Sequence, residues 1–164
     1  MIIQTTRGIA ERMRIWTAPD APIDRNRLTA QLDVCIEWSG KQPGHPSNYG
    51  LLGGSLRDDV EPPPLPEGAL ENSIVPRSYG VTLGLTDPRA RLAINHAAPE
   101  LNVVIAAEDP MASSPVVFHM LAGMLSRLLI DGIPIDESVL WELFDDAGRR
   151  AGAWGMATRP DLIP

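Results

Sequence analysis

Two apolar segments near the end of the sequence limit the fold more than any other feature. Each opens on a capping residue and closes on a glycine. In the first, Ser113 or Ser114 caps a helix that has Pro115 at its first position, where the missing N–H costs nothing. Val117, Phe118, Leu121, Ala122, Met124, Leu125, Leu128 and Leu129 then cover an arc of about 160° at ~100° per residue, and Gly132 stops the helix. In the second, Asp136 caps a helix whose buried face is Val139, Leu140, Leu143, Phe144 and Ala147. Ser138, Glu142 and Asp145 lie outside, and Gly148 ends it. The short turn between them makes the helices neighbours. Such a pair must bury its apolar faces against another layer.

The preceding residues supply that layer as strands. From 27 to 38 the alternation is strict: Leu28, Ala30, Leu32, Val34, Ile36 and Trp38 point one way, and Arg27, Thr29, Gln31, Asp33, Cys35 and Glu37 the other. The expectation is one buried and one polar face. Residues 8–17 fit both periods and are read as a strand; paired with the first, it sets Arg12 and Arg14 across from Asp33 and Glu37. Residues 78–85 alternate, and Asp87-Pro88 reads as a turn. Leu92, Ile94 and His96 share the face of a further short strand. Leu101–Ala107 is apolar on both faces, as in a central strand. Close spacing makes these an antiparallel meander. The fold class is therefore α+β: an antiparallel sheet of about five strands packed on one face by two C-terminal helices.

The chain of 164 residues suits a single domain over 1–164. Two stretches fall outside the regular pattern. Residues 39–75 lose all periodicity and hold much of the unusually abundant proline, including the run Pro62-Pro63-Pro64-Leu65. They read as a long Pro/Gly-rich loop or arm, with the proline run in a polyproline II helix. Residues 152–164 read as an irregular tail pinned to the body by Trp154.

Net charge is −7, and the 14 positive charges are 13 Arg and Lys41. Nucleic-acid binders carry a basic footprint, so neither nucleic acid nor an anionic membrane is an expected partner. The Arg skew suits protein interfaces and suggests a bacterial or phage source. The stretch Pro115–Ile130 is too short and too interrupted to span a bilayer, and Met1–Arg7 lacks the pattern of a signal peptide. With Cys35 as the lone cysteine, a cytoplasmic location is the expectation.

Candidate chemistry is sparse. His96 shares an apolar face and is a candidate base or ligand anchor, the alternative being a hydrogen-bonded histidine of the core or rim. Glu108 and Asp109 are a second candidate as paired carboxylates, although acids before a helix also complement its dipole. His119, Gly123, Ser126 and Arg127 form a less apolar strip on the first helix, either its solvent edge or a candidate seam for a partner together with Pro62, Pro63, Pro64 and Leu65. His45 reads as a loop residue and Tyr49–Ser55 as a glycine-rich turn without the lysine of a phosphate loop. Neighbouring acids should raise the Cys35 thiol and keep it inert. The histidine and cysteine spacing gives no metal signature, and no cofactor is implied.

The expected function is a non-catalytic subunit or adaptor of a bacterial or phage assembly, working through a protein partner or as a homo-oligomer. The alternative is a small enzyme or ligand-binding domain with a pocket between sheet and helices, using His96 and Glu108/Asp109 as acid–base groups.

Overall fold

A computed structural model describes residues 2–17, 33–41, 47–56, 82–109 and 112–158. Among these the strands are β1 (Ile2–Arg7), β2 (Glu11–Thr17), β3 (Val34–Lys41), β4 (Ser47–Ser55), β5 (Thr82–Leu83) and β6 (Asn102–Glu108). The helices are α1 (Pro88–Ala97), α2 (Pro115–Ile130) and α3 (Glu137–Ala157). The strands form one antiparallel sheet in the order β1-β2-β3-β4-β6-β5, in which β5 contributes two residues. The α+β architecture expected from the sequence is present.

The N-terminal strands join in a hairpin through Gly8, whose φ of 63° is one that side-chain-bearing residues rarely adopt. Next in the sheet, β2 pairs with β3, with Arg14 opposite Glu37 as expected and Arg12 opposite Ser39. Met13, Ile15, Val34, Ile36, Trp38 and Leu52 share the face that meets the helices, in one core with Phe118, Leu121, Leu125, Leu140 and Phe144. Trp38 and Phe144 bring their ring centroids to 5.0 Å. As expected, Leu101–Ala107 gives a strand paired on both sides, to β4 and β5.

Ser114 caps α2 by accepting from the Val117 N–H, and Asp136 caps α3 by accepting from that of Ser138. Gly132 sits just past the α2 C-cap at a φ of 60°. α2 is the central helix, lying on β4 with α1 and α3 beside it.

Four expectations are corrected. Residues 92–96 are not a strand but part of α1. Asp87, read as a turn residue, caps it by accepting from the Arg89 N–H at 2.8 Å, and Pro88 occupies its first turn. Its buried face is Ala90, Ala93 and Ile94, while Leu92 is 63% exposed. Second, residues 39–75 are not wholly a loop. Tyr49–Ser55 belongs to β4, between β3 and β6. Its glycines serve packing: a Cβ on Gly50 would stand 2.7 Å from Val117 Cγ1 and 2.8 Å from Leu121 Cδ1, so α2 approaches closer than any larger residue allows. Pro62, Pro63, Pro64, Leu65 and His45 lie outside the described residues.

Third, the second face of β3 is not solvated. Cys35 and Glu37 are fully buried, beside Tyr49 and Leu51 of β4. Glu37 tolerates this because the Tyr49 hydroxyl donates to its Oε2 at 2.7 Å. Burial foremost, and the Glu37 charge next, push the Cys35 thiol well up from its ordinary value, so it stays protonated. Fourth, Gly148 does not end the second helix, and 152–157 is not irregular. α3 runs to Ala157, with Gly148 outside the positive-φ region that would end a helix.

Candidate functional site

Three helices meet around a cavity of about 510 Å³ on the side of α2 away from β4. α1 contributes His96 and Ala97, α2 the strip His119, Gly123, Ser126 and Arg127, and α3 the face that runs from Leu143 through Asp146, Arg150 and Trp154. Among the described residues no strand residue lines it. This pocket thus lies among helices.

The cavity exists because the seam residues are small. Gly123 of α2 faces Ala147 of α3, where an added Cβ would make ordinary contact at 3.5 Å. Ala97, Ala153 and Ala157 extend the same lining without reaching across it. Leu143 and Ala147, both buried, form an apolar floor.

At one end stand two histidines and a tryptophan. His96 Nδ1 and His119 Nε2 are 3.0 Å apart, a hydrogen bond in which one ring donates and the other accepts. Trp154 stacks on His119 with ring centroids 5.0 Å apart and planes at 24°. His119 is only 5% exposed. Burial first, and then the nearby His96, hold it below the ordinary imidazole range, so it is neutral at physiological pH. A neutral ring with Nε2 committed to His96 presents Nδ1 as either a bare N–H or a bare lone pair. Two buried side-chain nitrogens lack a partner among the described residues, Trp38 Nε1 and His119 Nδ1; His119 lines the cavity, but its Nδ1 is shielded from it. Leaving such a group unpaired costs about 1–3 kcal/mol.

The other end carries charge. Asp146 stands 3.3 Å from Arg150, 3.3 Å from Arg149 and 3.6 Å from Arg127, and Arg127 also pairs with Asp131. Two guanidiniums therefore line the cavity, sharing Asp146, with Arg127 also held by Asp131, in a chain whose net charge is −7.

The structure brings together His96 and the whole predicted strip of His119, Gly123, Ser126 and Arg127. Glu108 and Asp109 are not in the lining. Glu108 accepts from the N–H and hydroxyl of Thr86, fixing the approach to α1. The Asp109 N–H donates to Ser113 Oγ, whose hydroxyl donates in turn to the Tyr49 carbonyl. The sequence reading missed Trp154, Asp146 and Arg150. The signal was available: 146, 150, 153, 154 and 157 fall at helical spacing, hidden by taking Gly148 as a stop. The groups present are two imidazoles, an aromatic wall and a guanidinium pair. Among the described residues no three histidines, cysteines or carboxylates gather as a metal site would require. No described helix is long and apolar enough to cross a membrane. Protein-family profiles, curated protein sequences and solved structures give no match to this chain.

Proposed function

We propose that this chain is a small-molecule-binding domain whose ligand occupies the cavity among α1, α2 and α3. The supporting observation is the lining of a 510 Å³ cavity: an apolar floor, a neutral imidazole stacked on Trp154 at one end and two guanidiniums at the other. That volume is typical of small-ligand sites, as is an apolar lining with a few convergent polar groups. Binding rather than turnover is the better reading, because among the described residues the one hydroxyl in the lining, Ser126, lies about two turns of α2 from His119.

The test uses 1-anilinonaphthalene-8-sulfonate, a dye that brightens in apolar sites. Saturable binding at one dye per chain is expected, and loss of that binding in Gly123→Leu and Ala153→Trp, which fill the cavity. Unchanged dye binding in both variants, with circular dichroism intact, would sink the proposal.

A second reading keeps the subunit role expected from the sequence. Leu92, Val116 and Met156 are exposed apolar residues near the aromatic end, Leu92 one turn before His96 on α1. Their exposure favours a cavity that receives a side chain from a protein partner or a second copy. A monomer by light scattering at high concentration, still binding the dye, supports the small-molecule reading over this one.

A further inference from the structure

We infer that the ligand is an elongated organic anion, with a flat apolar body against Trp154 and the α2–α3 seam and a carboxylate-type head between Arg127 and Arg150. This rests on the small-molecule reading above and adds the chemical class of the ligand.

The argument starts from the direction of the helices. Arg127 meets Asp146, Gly123 meets Ala147, and His119 meets Trp154, so α2 and α3 run antiparallel and their lining residues keep a fixed order. His119 and Arg127 are eight residues apart on α2, or roughly 12 Å at ~1.5 Å per residue. The cavity is therefore a slot with unlike ends, imidazole and indole at one and guanidinium at the other. Small residues between them leave room for a flat body about two fused rings long.

The charged end is unbalanced in the sense an anion needs. Asp146 is shared by three arginines and Asp131 pairs with Arg127, which leaves three guanidiniums against two carboxylates. Its contact with Arg150 uses Nε, and the terminal nitrogens of Arg150 have no partner among the described residues. Those nitrogens form the planar fork that matches a carboxylate. An organic cation would meet two guanidiniums and gain only a carboxylate already engaged. A neutral body would leave the fork unused.

Isothermal titration calorimetry with 2-naphthoate and its neutral analogue 2-naphthamide tests this at neutral pH and low salt. The expected result is about tenfold or more tighter binding of the acid, the effect of one charge-assisted hydrogen-bond pair. Arg150→Met, which changes an exposed side chain, should bring the two probes to equal affinity, and Arg127→Met should narrow the gap. Equal affinities in the parent protein overturn the anionic head and leave the cavity reading standing. So does dye binding without either naphthalene. A preference for the acid that survives both arginine variants places the anion elsewhere and also overturns the inference. If dye and both naphthalenes all fail to bind, the cavity reading falls with it.

Discussion

His119 shows how much a residue's role depends on what packs against it. On the helical wheel it marks a break in an apolar surface, a candidate seam at most. In the fold it is paired with His96 and covered by Trp154, and burial depresses its affinity for a proton. The depressed value has a consequence for stability. The unfolded chain protonates this imidazole near its ordinary value of 6.5, while the folded chain resists until lower pH. Stability is thus complete above about pH 6.5 and declines as pH falls below it, until the folded ring also protonates. His119→Leu should flatten the melting temperature between pH 7 and 5 relative to the parent. His96→Asn, which removes the other ring facing it, separates the effect of burial from that of the neighbour. Parallel curves for parent and His119→Leu would show that the ring does not titrate as described.

At the scale of elements, errors in reading the sequence share a cause: small residues carry packing that hydrophobic periodicity does not register. α1 presents Ala90, Ala93 and Ile94 to the core at helical spacing, yet alanines weigh little beside the alternating Leu92, Ile94 and His96. The Asp87-Pro88 pair is compatible with a turn or with a helix start, and only the run of good helix formers after it decides. β4 is the sharper case, because glycine normally weakens a strand. Here the absence of a side chain at Gly50 is what lets α2 rest on the sheet. Gly50→Ala should therefore destabilise the protein by about 1–3 kcal/mol in urea unfolding, the usual range for overpacking. Val117 cannot yield easily, since its branched side chain has little rotamer freedom on a helix. A neutral or stabilising result would mean that α2 sits farther from β4 than the 2.7 Å approach implies.

Across the whole molecule, the first strand and last helix are tied together. The Thr5 hydroxyl on β1 donates to Glu137 at 2.7 Å and accepts from Trp141 Nε1 at 3.1 Å, while Arg7 pairs with Asp145 at 2.7 Å and lies over the Trp141 ring. Thr5 is 5% exposed. These contacts dock the edge hairpin under α3 and so fix the helix that carries Asp146, Arg150 and Trp154. Thr5→Val keeps the shape and removes both hydrogen bonds, so a loss of about 1–3 kcal/mol is expected in chemical unfolding. Hydrogen exchange should also quicken in β1 and early α3. Exchange unchanged there would show that the hairpin contributes nothing to holding α3.

The sequence alone determined the helix pair and the α+β class. Caps at Ser114 and Asp136, a wide apolar arc and two-residue alternation are local signals, legible because they depend on chain neighbours. It also marked His96 and the strip from His119 to Arg127, since polar residues on apolar surfaces stand out without coordinates. Tertiary structure alone decided that these line one cavity. That outcome required α1 to be a helix, α3 to continue past Gly148, and α2 to settle on the glycines of β4. Each depends on what approaches the backbone from elsewhere in the chain, and no periodicity records that.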